Sequence, residues 1–434
     1  MTDPRPRNSH AGYARARHRA KQHDSAHADA STQQPQRRID HPLVSNEPGE
    51  LVTSQPQFDS LLDHLRQEGS FAYDSEFIGE LSYHPRLCLI QVATTKRIGL
   101  IDPMANLDLR PFWELLADPA IEKTLHASEQ DIEPVHRLTG KSAANIFDTQ
   151  IAAGFAALAY PIGLSKLVFE LVGAKLGKGL TFTHWDQRPL TSYQLAYAAD
   201  DVRYLPAVRA ELGSRLKALG HEDWAREECD SLCDPARYGF NPETYYLKIR
   251  GASSLSPQQT AVLRELTIWR DSAARSHDVP PRAYLKDEIL VDLSRSPVKT
   301  VEKLDRVKGL PRPVELAHGA AIVEATQRGL STPPDNRPPS RNFEPSPSER
   351  FGAESFHVLA SALCAGQSID PALVTSRQEI AELYRVLEDG ADVSNLPLLK
   401  GWRSQACGQK LIDLRRGTGK VGLEWRENRL HATD

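Results

Sequence analysis

The chain has 434 residues, 40% of them hydrophobic and 25% charged, which is the composition of a globular protein long enough for two or three domains. A net charge of −4 excludes a protein that attracts nucleic acid through an overall basic field, so any such surface must be local. Five scattered cysteines argue against a disulfide framework and no apolar run approaches a membrane span, so we expect a cytoplasmic protein with no membrane partner.

The first half of the chain passes from a tail into a region of regular structure. Residues 1–48 are rich in Gln, Ser, Ala, His and Arg and lack hydrophobic periodicity, which predicts a disordered tail. Residues 49–220 then alternate strand-like and helix-like segments. Strand-like apolar runs predict an antiparallel meander of three strands, at 71–77, 87–95 and 97–103.

The rest of this region alternates strands and helices. Further strands are predicted at 121–127 and at the start of 145–158, and further helices at 60–67, 106–118, 128–140 (with Ser128 as its N-cap) and 163–173. A long helical stretch follows at 191–220, which Pro206 is expected to bend or break. This order predicts an α/β domain in which helices flank a mixed sheet.

After residue 220 the pattern becomes helical. A long amphipathic helix is predicted at 256–278, followed by shorter helices without a convincing strand. A second helical region repeats the first imperfectly at a spacing of about ninety residues, which suggests a duplication. The predicted organisation is a connector at 221–253, a helical domain at 254–330, a Pro-rich linker at 331–350, a second helical domain at 351–420 and a tail at 421–434.

Five polar residues of the first region raise a chemical question. Asp74 and Glu76 stand two positions apart in FAYDSEFIGE, so on a strand they share a face, where buried carboxylates repel each other and are costly to desolvate. Asp131 falls in the first turn of a predicted helix, and Tyr197 and Asp201 fall four residues apart on another. Singly, each has an ordinary explanation: an exposed strand face, a carboxylate near a helix N-terminus, or a surface pair.

Divalent cations explain the whole set together. Mg²⁺ and Mn²⁺ prefer carboxylate oxygens. Two such ions about 3.5–4 Å apart can clamp the attacking and leaving oxygens of an in-line displacement at phosphorus. The cations also remove the repulsion between neighbouring carboxylates, so the pattern predicts a metal site for phosphoryl chemistry.

The order and flanks of these residues resemble a known family. YDSEF, HASEQD and YAADD resemble the three exonuclease motifs of the DEDD superfamily, in its tyrosine subclass, since the histidine subclass has His where this chain has Ala196. The segment VLRELTIWRDSAARSHDVPPRAYLKDEIL resembles the HRDC domain, and the C-terminal part resembles the second, more divergent helical domain of the same enzymes. The flanks resemble ribonuclease D over residues 50–215, in LCLIQVAT, LHASEQDIE, IFDTQIAA and LTFTHWDQRPLTSYQLAYAADDVRYL.

The resemblance implies a ribonuclease H-like mixed sheet flanked by helices, followed by two small all-α HRDC-like domains. It also implies a catalytic role for each of the five residues. Asp74 would bridge two ions, Mg²⁺ or Mn²⁺, and Asp131 would hold the second of them. Glu76 and Asp201 would complete the ion that activates water, and Tyr197 would orient that water.

Other residues near the motifs are expected to have different roles. His126 is expected to be structural, because imidazole is a poor ligand for Mg²⁺. Asp200, where relatives often have Ala, is expected to point away from the site. Basic stretches at 299–312 and 400–420 are expected to contact phosphates, whereas Trp402 is expected in a core.

The resemblance and the chemistry together predict a metal-dependent 3′→5′ exoribonuclease. It would release nucleoside 5′-monophosphates from structured RNAs, with tRNA precursors as the typical substrate. One alternative is the same hydrolase acting on single-stranded DNA, because contacts to the RNA 2′-hydroxyl cannot be located in the sequence. Another is a non-catalytic RNA-binding scaffold, against which the completeness of the five-residue set argues.

Overall fold

The computed structural model describes residues 39–177, 183–338, 346–426 and 428–433, and the described residues from 40 onwards form one compact unit. Residues 1–38 of the predicted N-terminal tail therefore lie outside the described residues, whereas residues 39–48 are described, and Val44 and Ser45 among them are buried. The middle of the predicted Pro-rich linker and the first residues of LTFTHWDQRPL also lie outside the described residues. None of the described helices is both long and apolar enough to cross a membrane.

Six strands form a mixed sheet in the first region: β1 (Glu50–Val52), β2 (Ser70–Ile78), β3 (Arg86–Ala93), β4 (Ile98–Ile101), β5 (Glu122–Leu125) and β6 (Ile146–Asp148). Their order across the sheet is β1-β4-β3-β2-β5-β6. β3 runs antiparallel to β2 and β4, which confirms the predicted meander. β1 pairs in parallel with β4, and β5 pairs in parallel with both β2 and β6.

The helices of this region are α1 (Gln55–Glu68), α2 (Arg110–Leu116), α3 (Glu129–Thr139), α4 (Thr149–Phe155), α5 (Leu164–Val172), α6 (Ser192–Arg203), α7 (Leu205–Leu219) and α8 (Glu222–Leu232). They cover both faces of the sheet. Gly99 of β4 lies under Leu61 of α1, whereas the next residue, Leu100, packs in a cluster with residues of α6. The long helix predicted at the end of the region is broken at Tyr204, two residues before Pro206.

The first helical domain consists of α9 (Pro257–Ser276), α10 (Pro281–Tyr284), α11 (Asp287–Arg295) and α12 (Arg312–Leu330). Ser256 caps α9 by accepting a hydrogen bond from the backbone N–H of Gln259. Leu266, Leu290 and Ile322, from three of these helices, are fully buried in one core. Residues 254–330 are all described and none of them lies in a strand, as predicted.

The second helical region repeats this series of elements about ninety residues later. Its helices are α13 (Pro347–Gly366), α14 (Pro371–Val374), α15 (Arg377–Glu388), and α16 (Gly401–Arg403) and α17 (Gln409–Arg415), which a π-helical turn at Ser404–Gly408 joins. The prediction of a tail at 421–434 is wrong for the described residues there. They form an antiparallel hairpin of β7 (Gly422–Arg426) and β8 (Arg429–Thr433), in which β8 packs against α13.

The second helical region docks on the first region through a buried polar contact. Glu228 of α8 accepts hydrogen bonds of 2.6 and 2.8 Å from the Arg403 guanidinium and one of 2.8 Å from the Trp402 indole N–H. Trp402 is buried, as expected, and its ring packs edge-on against Phe155 at 4.6 Å. Arg403, one of the cations expected to contact phosphate, is therefore part of a domain contact.

Candidate active site

The site begins where β2 extends past its parallel neighbour. The last pair between β2 and β5 is Ala72 with Thr124, so the following residues of β2 have no partner on that side. Asp74 and Glu76 alternate with Ser75 and therefore share a face of the sheet with Ala72, which packs in the cluster that includes α6. An irregularity in the pairing of β2 with β3 follows directly after Glu76.

Helix α6 brings Tyr197 and Asp201 to this face. A capping box of Thr191 and Gln194 fixes the start of the helix. The buried Ala198 anchors α6 on the sheet, and Tyr197 packs partly buried against the same cluster. The Tyr197 hydroxyl adjoins the Asp201 carboxylate, and this polar contact partly offsets the effects that raise the pKa of Asp201.

Asp131 reaches the same place from the start of α3. The Ser75 hydroxyl donates a short hydrogen bond to its carboxylate, and the Tyr73 hydroxyl donates one of 3.0 Å to its backbone carbonyl. Ser128 occupies the N-cap position of α3, as predicted, but its side chain does not cap the helix. Its hydroxyl instead donates to Asp148 at 2.9 Å.

Asp148 is a positioning residue to which the sequence analysis assigned no role. Its buried carboxylate accepts hydrogen bonds from the backbone N–H groups of Ala127 and Ser128, before α3, and of Gln150 and Ile151, at the start of α4. Ala127 has a left-handed backbone with a φ of 59°, which the bond to Asp148 helps to hold. The sequence contained one signal for this role. In IFDTQ an aspartate ends the strand and also serves as the N-cap of α4.

The four carboxylates form a partly buried cluster of like charges, in which Asp131 is the most buried. Burial raises the pKa of Asp74 to about 7, and burial together with the Asp74 charge raises the pKa of Glu76 to about 8. Burial and then the charges of Asp74 and Glu76 raise the pKa of Asp201 to about 9. The pKa of Asp131 is raised well above its ordinary value, by burial first and the Asp74 charge second. Burial, followed by the nearby carboxylates, also raises the pKa of Tyr197.

This donor set fits divalent cations by its chemistry. None of the four carboxylates forms an ion pair with a lysine or arginine among the described residues. Gln91, which lies directly across from Asp74 in the antiparallel pair, is fully buried, and neither polar atom of its amide has a described hydrogen-bond partner. Such a cluster is stabilised by added positive charge and by ligands that satisfy its polar atoms.

The side chains as they stand are not arranged around an ion. In the part of the chain that the structure describes, no group of three or more His, Cys, Asp or Glu side chains is placed to hold a metal. In this arrangement Asp131 accepts a hydrogen bond from the Ser75 hydroxyl, and the Tyr197 hydroxyl adjoins the Asp201 carboxylate.

His126 and Asp200 lie at the edges of the site. His126 lines the same cavity as Asp74, and its Nδ1 lies 2.9 Å from the Thr149 hydroxyl, which agrees with the expected structural role. Asp200 accepts a hydrogen bond of 2.8 Å from Arg203, three residues along α6. The Arg203 side chain is buried, and it also donates to backbone carbonyls before β1.

We expect Asp200→Ala to change the predicted RNA hydrolysis less than about twofold, because the carboxylate is bound to Arg203 and its charge has little effect on the pKa of Asp201. Asp201→Ala should instead abolish hydrolysis. Steady-state rates of the two variants show which of the two aspartates on α6 belongs to the active site. An inactive Asp200→Ala protein beside an active Asp201→Ala protein would show that the assignment is displaced by one residue.

Comparisons with known proteins identify the family. The family described as 3′-5′ exonuclease matches residues 50–217, and the HRDC domain matches residues 259–326. A ribonuclease D from Gluconacetobacter diazotrophicus is 34% identical over 378 residues, which cover 86% of this chain and 94% of that protein. The chain belongs to the ribonuclease D family. A ribonuclease D from Desulfotalea psychrophila is also 34% identical, over 82% of this chain and 95% of that protein.

A solved ribonuclease D has the same fold. The crystal structure of Escherichia coli RNase D matches with a TM-score of 0.74 at 29% identity, over 86% of this chain and all of that chain. That enzyme is described as an exoribonuclease involved in structured RNA processing. The predicted fold class and the predicted class of enzyme, a 3′→5′ exoribonuclease, are confirmed. Exonucleases of this superfamily generally use divalent metal ions.

Proposed function

We propose that this chain removes nucleotides from the 3′ ends of tRNA precursors and other structured RNAs, with two Mg²⁺ or Mn²⁺ ions, and releases nucleoside 5′-monophosphates. One observation supports the metal-dependent chemistry above all. Four carboxylates from β2, α3 and α6 lie together, buried or partly buried, with raised pKa values and no basic partner among the described residues. The described role of the Escherichia coli relative supports the substrate class.

Each of the five residues has a distinct task in this proposal. Asp74 would hold both ions, Glu76 and Asp201 one of them, and Asp131 the other. When bound, the ions neutralise the phosphate charge and lower the pKa of a water molecule. Tyr197 would turn its hydroxyl from Asp201 to the attacking water and so orient it for in-line attack.

Hydrolysis of a short RNA labelled at its 5′ end tests the proposal directly. With Mg²⁺ we expect a ladder of products shortened from the 3′ end together with free nucleoside 5′-monophosphates, and with EDTA we expect no products. A DNA of the same sequence should be cleaved more slowly. Internal cleavage, nucleoside 3′-monophosphates or full activity in EDTA would each refute a part of the proposal.

Tyr197→Phe removes a hydroxyl and leaves all four carboxylates in place. We expect kcat to fall by about 10- to 100-fold, the worth of one hydrogen bond to a charged group, while RNA affinity stays unchanged. The two effects are separated by measuring turnover with Mg²⁺ and RNA binding by fluorescence anisotropy in EDTA. A Tyr197→Phe protein with unchanged kcat would show that another group orients the water.

A further inference from the structure

A long groove runs between the first region and the first helical domain. Its volume is about 1190 Å³. Its walls come from the loop after β2, from α3, from the part of the connector that follows α8, and from α9. It adjoins a cavity of about 440 Å³ that contains Asp74 and Asp131. Phe77, Glu129 and Arg237 line both spaces, so the groove leads directly to the candidate active site.

The connector gives the groove an aromatic wall. Tyr238, Phe240 and Tyr245 line it, and the rings of Phe240 and Tyr245 lie 5.0 Å apart. The exposed Lys248 lies 5.9 Å from the Tyr245 ring and forms no ion pair among the described residues. Aromatic rings interleaved with cations are typical of surfaces that bind single-stranded nucleic acid, because bases stack on the rings and phosphates contact the cations.

The remaining cations of the groove are already paired with acids. Arg237 lies 2.9 Å from Glu129, and Arg137 lies 2.9 Å from Glu133. These pairs are partly exposed, so phosphate can compete for the guanidinium groups at small cost. The local charge is therefore only weakly positive, and stacking on the connector is the larger source of affinity.

A set of hydrogen bonds holds the opposite wall in place. The Tyr83 hydroxyl, from the loop after β2, donates to Asp271 of α9 at 2.6 Å and accepts from Arg275 at 2.9 Å. The Tyr83 backbone N–H donates to Asp278 at 3.0 Å. The loop that follows Asp74 is thus joined to the first helical domain, and the groove has two fixed walls.

We propose that this groove binds single-stranded RNA, namely the nucleotides immediately 5′ to the one being removed, by stacking on Phe240 and Tyr245. The proposal rests on the proposed function, because it takes the carboxylate site as the place of cleavage. The connector, which the sequence predicted only as a link, then selects RNAs whose 3′ ends are unpaired. Recognition by stacking does not depend on sequence, as trimming of varied 3′ ends requires.

The test compares a long and a short RNA on the full-length protein. The double variant Phe240→Ala/Tyr245→Ala removes both rings, and Phe351→Ala removes a 76% exposed ring of α13 as the matched control. We measure kcat/KM with Mg²⁺ for an RNA of about 12 nucleotides and for a dinucleotide. The ratio of the two values should fall about tenfold or more in the double variant and stay at the wild-type value in the control.

Anisotropy with the longer RNA in EDTA provides a second readout that needs no catalysis. The double variant should bind about tenfold more weakly than wild type and Phe351→Ala should bind equally well. A general folding defect lowers both rates and leaves their ratio unchanged. An unchanged ratio together with unchanged binding overturns the groove proposal, whereas a wild-type protein that binds RNA but hydrolyses neither substrate overturns the proposed function alone.

Discussion

Asp74→Asn should lower the rate of RNA hydrolysis by about 10³-fold or more, equivalent to several kcal/mol of transition-state stabilisation. After burial, the Asp74 charge is the largest cause of the raised pKa of both Asp131 and Asp201. The Asp74 charge therefore acts on both of these carboxylates. Asparagine keeps the shape of the side chain but removes the charge that would hold two cations.

We do not expect unfolding of the variant to be the cause of its lower rate of RNA hydrolysis. Asp74→Asn removes a partly buried charge from a cluster of like charges, so the metal-free variant should be at least as stable as wild type. Asp200→Asn makes the same chemical change on α6, outside the cluster, and serves as the control. The measurements are single-turnover hydrolysis of a labelled RNA and thermal unfolding in EDTA. Near wild-type hydrolysis by a folded Asp74→Asn protein would remove Asp74 from the site.

The parts of the fold that were predictable are those with local patterns. The meander of β2, β3 and β4 follows from its strand-like apolar runs, and the break at Tyr204 follows from a proline that cannot continue a helix. β1 escaped prediction because three residues are too few to show alternation. The hairpin at the C-terminus was not predicted because its strands are mostly exposed, so they lack the apolar face by which a strand is recognised in a sequence.

The candidate site was predictable as a set of residues but not as an arrangement. Motif spacing placed Asp74 and Glu76 on one strand face, and the structure brings the other three residues close to them. Spacing could not reveal that Ser75 holds Asp131, because that contact joins residues 56 positions apart. The role of Glu228 was hidden for the same reason, since its partners Trp402 and Arg403 belong to another domain.

In EDTA, the protein should lose stability as pH rises from about 4 to 9, and Mg²⁺ should restore more stability at high pH than at low pH. The folded protein raises the pKa of Asp74 from 3.8 to about 7, of Glu76 from 4.5 to about 8 and of Asp201 from 3.8 to about 9. Between the ordinary and the raised values the folded state binds more protons than the unfolded state. The resulting stability is complete below about pH 4 and is lost as pH rises through each raised pKa.

Thermal unfolding at several pH values, with EDTA and with Mg²⁺, measures this linkage. Each unit by which folding raises a pKa corresponds to about 1.4 kcal/mol of the free energy of unfolding. The free energy of unfolding should therefore change with pH much more steeply than ordinary surface groups would cause. Asp74→Asn should flatten the slope in EDTA, because it removes one titrating group and lessens the repulsion on Glu76 and Asp201. Asp200→Asn should keep the wild-type slope. Equal stabilisation by Mg²⁺ at pH 6 and pH 9 would contradict a metal site made of these carboxylates, since protons and cations would then not compete for the same oxygens.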